Sequence, residues 1–274
     1  MKPKKIAVLG CGWLGLPLAQ ELVKKGYRVN GSTTTPGKLP ILQEAGIQPF
    51  LLSFPENGSK TELSSLLEAE TLVFNLPPSK SQGEAAYEQI LQTVLAAAPA
   101  ALQHLLFVSS TSVYPDLNRE VIESDAVASP AAASLLLRCE YLVQHMQGIT
   151  TTVVRFGGLM GRQRHPGRWL AGKKDVPQPE GPVNMIHLTD CVQLLTEVLA
   201  QEKWGETYNA CAPLHPTRQE FYTAAAAALA LTPPAFAATT APRFKLINSN
   251  KITADLAYRF RFPDPVACLA STDF

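Results

Sequence analysis

The 274-residue sequence has no long apolar run, no cysteines at metal-ligand spacing and almost no net charge. Each absence removes a class of protein. No window approaches the run of about 18 apolar residues that a bilayer-spanning helix needs. The basic start Met1-Lys2-Pro3-Lys4-Lys5 leads into an apolar stretch that stops at Gly10, so it reads as a first strand and not as a signal peptide. The five cysteines (Cys11, Cys139, Cys191, Cys211 and Cys268) are odd in number, widely spaced and never C-x-x-C. No metal site or disulfide framework is expected from them, and free thiols suit a reducing cytoplasm. With 24 Lys+Arg against 23 Asp+Glu, the charge of +1 offers no polyanion surface. Nucleic acid and anionic membrane are therefore not expected as partners. A hydrophobic fraction of 46% is enough to offset chain entropy, which excludes disorder. A cytoplasmic protein with a small-molecule partner is expected, and nothing in the sequence sets its oligomeric state.

What is present is alternation. Apolar strand-like runs at Ile6–Leu9, Tyr27–Val29, Gln48–Leu52, Thr71–Asn75, Leu105–Val108 and Thr151–Arg155 are separated by segments of helical periodicity. Such continuous apolar strands joined by helices predict an α/β fold, a Rossmann-type doubly wound parallel sheet covered on both faces. Pro130 is expected at the first turn of a helix reaching Met146, with Ser129 as N-cap. Arg138 and Glu140 read as the solvated face of that helix. Beyond Arg155, glycine, proline and cations crowd residues 156–183. A strand at Val183–His187, a helix capped by Thr189 or Asp190, a strand at Glu206–Asn209 and a Thr217-capped alanine-rich helix follow. The expected organisation is a dinucleotide-binding domain over 1–155, completed by 183–210, with a small C-terminal substrate lobe from 156–182 and 211–274.

Gly10-Cys11-Gly12-Trp13-Leu14-Gly15 is G-x-G-x-x-G placed directly between the first strand and the first helix. Gly10 permits the tight turn, Gly12 lets backbone approach a pyrophosphate, and Gly15 lets helix and strand pack closely. The helix N-terminus then presents N–H groups and positive partial charge to phosphate. Cys11 and Trp13 are expected to pack. An acidic residue after the second strand would hold the NAD ribose. Here Asn30 to Lys38 contains no carboxylate, while Ser32, Thr33, Thr34 and Lys38 offer hydroxyls and a cation for a 2′-phosphate. NADP is expected ahead of NAD, which stays possible; the alternative is a capped turn that binds nothing. Asn75, Leu76 and Pro77, and Ser109 after the fifth strand, border the expected crevice, together with Ser79 and Tyr114.

Val108-Ser109-Ser110-Thr111-Ser112-Val113-Tyr114, the glycine motif and Met185-Ile186-His187-Leu188-Thr189-Asp190 resemble the extended short-chain dehydrogenase/reductases. Asn75-Leu76-Pro77-Pro78, Arg164-His165-Pro166, Tyr208-Asn209 and His215-Pro216-Thr217 are similar to its atypical YeeZ-like branch of NAD(P)-dependent epimerase/dehydratase relatives. The resemblance implies the fold, an NAD(P) cofactor and an oxidoreductase or epimerase/dehydratase-like activity on a small substrate, anionic or nucleotide-sugar-like. It also implies a Ser or Thr after the fifth strand, matched by Ser110, and a Tyr-x-x-x-Lys pair on the next helix. That pair is missing. Counting back from Glu140, its positions fall at Ala132 and Leu136, and no Tyr in the chain has a Lys four residues later. Tyr114 is the candidate replacement acid, with a structural role in the turn as the alternative. A binding module that senses NAD(P) without turnover is the rival to an enzyme. Finally, Arg162, Arg164, His165 and Arg168, followed by Trp169, concentrate cations in one loop. His165, Arg168 and Trp169 are candidates for an anionic substrate, against a solvated basic loop anchored by Trp169.

Overall fold

The strands are β1 (Lys5–Leu9), β2 (Arg28–Thr33), β3 (Gln48–Leu51), β4 (Thr71–Phe74), β5 (His104–Ser110), β6 (Glu120–Val121), β7 (Thr150–Phe156), β8 (Gly158–Met160), β9 (Met185–His187), β10 (Thr207–Ala210) and β11 (Leu246–Ile247). The helices are α1 (Gly15–Lys24), α2 (Leu39–Glu44), α3 (Lys60–Leu66), α4 (Gly83–Ala96), α5 (Leu135–Gln144), α6 (Gly167–Leu170), α7 (Leu188–Ala200), α8 (Arg218–Ala228) and α9 (Asn250–Leu256). This computed structural model describes residues 4–54, 60–78, 83–238, 241 and 243–271. Ser79 lies outside them.

Seven strands form a parallel central sheet, ordered β10-β7-β5-β4-β1-β2-β3, with helices flanking it. The order reverses at β1, since β2 lies on one side of it and β4 on the other. That reversal puts the β1–α1 turn at the topological switch point, beyond the carboxyl ends of the strands. The apolar runs are buried as expected for a doubly covered sheet: Ala7, Val8, Val73, Leu105 and Leu106 are fully inaccessible. Leu18 and Leu22 of α1, one turn apart, are buried too. Each such leucine contributes about 2 kcal/mol of transfer free energy.

The chain divides into two compact units. One comprises Met1–Ser109, Val127–Val154 and Leu195–Thr207; the other comprises Ser110–Ala126, Arg155–Leu194 and Tyr208–Phe274. The expected boundaries differ at 110–126, 155, 183–194 and 208–210, which fall in the second unit. Pairing is the reason: β6 pairs with β11 and β9 with β8, both in parallel. The C-terminal stretch contains β11 and α9.

Two local expectations are corrected. The central helix begins at Leu135 and not at Pro130; Ser129 instead closes a separate turn, its hydroxyl accepting the Ala131 amide at 3.3 Å. Strand β2 runs to Thr33, four residues past Val29, because Gly31 lets it pass beneath Cys11 and Ile47. A Cβ at Gly31 would lie 2.7 Å from Cys11 Sγ and 2.6 Å from Ile47 Cγ2.

Candidate cofactor and substrate sites

In the first unit the three loop glycines have unequal reasons to be glycine. Gly10 adopts φ +102°, where a side chain is strained, and a Cβ there would lie 2.9 Å from the Asn75 carbonyl oxygen. A Cβ on Gly15 would lie 2.1 Å from the Gly10 carbonyl oxygen and 2.8 Å from Asn75 Nδ2. Gly12 is exposed, and a Cβ on it would meet nothing within 4 Å. Packing within the protein demands the first and third glycines; the second is the open side of the loop.

Neighbouring strands lock this loop. The Gly10 amide donates to Ser32 Oγ at 2.9 Å and the Cys11 amide to the Ser32 carbonyl at 2.7 Å. Asn75 Nδ2 donates to the Gly10 carbonyl at 2.9 Å. Leu76 is fixed through its carbonyl, which accepts the Tyr87 hydroxyl at 2.8 Å, and Pro77 beyond it is exposed. Leu14 is buried and Trp13 half-buried. Burial pushes the Cys11 thiol up to about 12, so it is a neutral packing group.

The end of β2 splits into inward and outward residues. Ser32 is buried with its hydroxyl on the Gly10 amide, and the Thr33 hydroxyl, also buried, accepts the Thr35 amide at 3.2 Å. Both were expected to face a 2′-phosphate; the length of β2 turns them into supports of the loop. Thr34, Thr35 and Lys38 are exposed. Ser109 is likewise committed: its hydroxyl donates to Glu140 Oε1 at 2.6 Å. Glu140 is fully buried and therefore not on a solvated face, because α5 packs that side against β5. Arg138 does stay near the surface, paired with Glu84 and Glu88 at 3.1 and 3.3 Å. A separate polar cleft of about 720 Å³ lies at the opposite, amino ends of β1–β3, lined by Lys5, Arg28, Asn30 and Gln48.

In the second unit, Ser110 begins a 3₁₀ turn over Thr111–Val113. Its oxygen accepts the Ser112 amide at 3.1 Å, and its O–H donates to no group among the described residues. Tyr114 is 1% exposed. Its hydroxyl donates to Asn209 Oδ1 at 2.7 Å and accepts from Arg155 Nη1 at 2.7 Å. Burial is the largest influence on this phenol and raises its pKa, against the pull of Arg155. Arg155 itself is buried, with further bonds to the carbonyls of Glu123 and Ala126. Glu123 Oε1 accepts the Asn209 amide at 2.8 Å, which closes the network. Sequence reasoning passed over Arg155, Asn209 and Glu123; the available signal was a cation closing the β-branched run of a buried strand.

The cationic loop leads into α6. Gly167 presses α6 onto α8: a Cβ there would lie 2.1 Å from the Ala225 carbonyl oxygen. The His165 ring serves this turn, with Nδ1 accepting the Gly167 amide at 3.1 Å, and burial lowers its pKa. Arg168 is exposed, and Trp169 is 36% exposed, with most of its surface covered. His187 is packed against Phe262, with Nδ1 accepting the Thr189 amide at 3.2 Å. Asp190 does not cap α7. Fully buried in its first turn, it accepts the Tyr258 hydroxyl and the Arg261 and Phe262 amides at 2.7, 2.7 and 3.0 Å. No group of His, Cys, Asp and Glu among the described residues is arranged to hold a metal ion, and no helix among them is long and apolar enough to cross a membrane.

A parallel seven-stranded sheet with this glycine loop at its switch point defines a Rossmann-type fold. The same fold is found in a functionally unknown conserved protein from Silicibacter pomeroyi DSS (TM-score 0.77, 23% identity, 97% of this chain and 96% of that one). It is also found in the human epimerase family protein SDR39U1, isoform 2, solved with NADPH (TM-score 0.70, 19% identity, 97% and 98%). No protein-family model matches the sequence. In sequence the chain is 37% identical over 270 residues to Protein YeeZ of Escherichia coli strain K12, covering 96% of this chain and 98% of that protein. The chain belongs to the YeeZ family.

Proposed function

We propose that this protein is an NAD(P)(H)-dependent oxidoreductase of epimerase/dehydratase type that acts on a small anionic substrate and prefers NADP(H). The observation that carries the reading is the contrast between Gly12, exposed and with nothing within 4 Å of where a Cβ would sit, and Gly10 and Gly15, held tight by Asn75 and Ser32. A rigid loop with one bare backbone face suits a pyrophosphate at the α1 N-terminus. The NADPH in the human structure of the same fold is consistent with it. Thr34 and Lys38, exposed after β2 with no carboxylate beside them in the sequence, support the phosphorylated dinucleotide.

When bound, the nicotinamide supplies or accepts a hydride. The chain's own part is to orient the reacting oxygen, and Ser110, with an uncommitted O–H, is the group for it. Tyr114 is a positioning residue here: both sides of its hydroxyl are occupied, and the Arg155–Asn209 network fixes the turn that follows Ser110. The proton then passes to water or to a group of the substrate. A second reading, an NAD(P)-binding sensor without turnover, is favoured by Ala132 and Leu136 at the positions of the missing pair and by the burial of Tyr114. A screen of carbonyl and sugar-nucleotide compounds for NADPH oxidation decides between them. Oxidation that falls at least tenfold in Ser110→Ala supports the enzyme; tight NADPH binding with no turnover of any compound supports the sensor; failure to bind either dinucleotide overturns both.

A further inference from the structure

Lys245 is held with unusual care for a residue near the surface. Its carbonyl accepts Asn184 Nδ2 at 2.9 Å, and Asn184 Oδ1 accepts the Ile247 amide, also at 2.9 Å. On the other side, Phe244 exchanges two bonds with Asn118, and Leu246 pairs with Glu120 in the β11–β6 ladder. A segment braced at 244, 245, 246 and 247 leaves the Lys245 side chain one place to go. Nζ donates to the Tyr114 carbonyl at 2.6 Å. This carbonyl lies at the end of the 3₁₀ turn that Ser110 begins.

The ammonium is only partly served there. Its side chain is 20% exposed, and an ammonium has three donors to satisfy. One is on a neutral carbonyl. Asp116 Oδ1 stands at 3.6 Å, beyond hydrogen-bond reach, on a side chain that is itself 41% exposed. No other described residue accepts a hydrogen bond from Nζ. A largely covered cation with open donors and a loosely placed carboxylate is poorly satisfied by its own protein, and an oxyanion would complete it. The same chain segment carries Ser110.

We propose that Lys245 binds the anionic group of the substrate, a phosphate or a carboxylate, with Asp116 as the counter-ion that the anion displaces. This deepens the proposed function and supplies, from the C-terminal part of the chain, a lysine at the turn after β5 where helix α5 has none. It takes the role of a specificity residue and not of a proton carrier.

The test is calorimetric titration of the full chain at low salt with pyrophosphate, inorganic phosphate and succinate, on wild type, Lys245→Gln, Lys245→Arg and Asp116→Asn. The glycine loop can also take phosphate, so each titration is repeated with saturating NADP⁺. The expected results are binding of at least one anion by wild type, a loss of about tenfold or more in Lys245→Gln, retention within a few-fold in Lys245→Arg, and tighter binding in Asp116→Asn. The Lys245→Gln and Asp116→Asn outcomes separate recognition from scaffolding, because a purely structural lysine would tie both variants to lower melting temperature with anion affinity unmoved. Pyrophosphate and phosphate without succinate identify a phosphoryl group; succinate alone identifies a carboxylate. Where Lys245→Gln fails to fold, the Arg and Asn variants decide. Anion binding that ignores Lys245 and Asp116, or no binding by wild type, overturns the inference. A parallel NADPH titration keeps the two proposals apart: anion binding through Lys245 in a protein that binds no dinucleotide leaves this site standing and removes the cofactor reading.

Discussion

Ser32 Oγ accepts the Gly10 amide at 2.9 Å, so a hydroxyl at the end of β2 holds the turn that leaves β1. The adjacent Ser32 carbonyl accepts the Cys11 amide, and two consecutive loop amides are thereby fixed by one residue. Under the proposed cofactor reading, Ser32 acts through the geometry of the loop, while Lys38, exposed, meets charge directly.

These two roles predict different phenotypes. Ser32→Ala leaves a part-buried amide without an acceptor, at a cost of about 1–3 kcal/mol. NADPH and NADH affinities should then fall by the same factor, together with the melting temperature. Lys38→Ala should weaken NADPH alone and flatten its salt dependence. Titration of both variants with both dinucleotides is the check; selective loss of NADPH in Ser32→Ala would mean that the hydroxyl touches the phosphate after all.

The glycines make a second, sharper pair. Gly15→Ala drives a Cβ to 2.1 Å from the Gly10 carbonyl oxygen, and backbone must move. Overpacking of this kind costs about 1–3 kcal/mol or more, so a marked fall in stability is expected. Gly12→Ala meets nothing within 4 Å and should keep the wild-type melting temperature while dinucleotide affinity drops about tenfold or more. Equal stability losses in the two variants would refute the distinction between packed and open glycines.

These contrasts show where sequence reading succeeds. The glycine motif and the apolar strands were legible because local chemistry and global fold agree there: period, turn residues and burial all point one way. Ser32 and Thr33 were misplaced because hydroxyls suit a binding turn and a strand end equally, and only the pairing of β2 with β3 decides. Glu140 was misread because its partner, Ser109, lies 31 residues away. Arg155, Asn209 and Glu123 come together through tertiary contacts that no periodicity encodes. The missing Tyr-x-x-x-Lys, in contrast, is a fact of the sequence alone.

Three histidines set a pH dependence. Burial is the first cause lowering the pKa of His104, His165 and His215 below the ordinary 6.5. Between the folded pKa values and 6.5 the unfolded chain binds more protons, so stability rises with pH there. It is fully present above pH 6.5 and is lost as pH falls through the folded values. His104 is stacked on Trp204 with centroids 4.3 Å apart, and its Nδ1 has no hydrogen-bond partner. His104→Phe keeps the stack without the proton. Melting temperatures from pH 8 to 5 should fall less steeply in this variant than in wild type, with little difference at pH 8; identical slopes would remove His104 from the account.

Asp190 ties the start of α7 to residues 258–262. It accepts three hydrogen bonds while fully buried, and bonds to a charged acceptor contribute about 1.5–3 kcal/mol each. Asp190→Asn turns an amide N–H₂ toward donors and should lower unfolding free energy by about 3 kcal/mol or more in urea titrations. Tyr258→Phe, which removes one of the three, should cost about half as much. A near-wild-type Asp190→Asn would show that the 258–262 segment is held by its apolar contacts and not by this carboxylate.

Arg168 offers the cleanest separation of binding from scaffold, because the loop around it is built by other residues. Gly167 presses on α8, His165 closes the turn, and Arg168 is left exposed with no ion pair among the described residues. An exposed guanidinium contributes little to stability, yet it can grip a carboxylate or phosphate with two parallel bonds. For an anionic substrate, Arg168→Ala should raise KM about tenfold, with melting temperature and NADPH affinity unchanged, and Arg168→Lys should recover only part of the loss because the fork is gone. His165→Ala should do the reverse and lower stability first. A fall in stability with unaltered KM in Arg168→Ala would return this loop to the scaffold and leave Lys245 as the anion-binding residue to test.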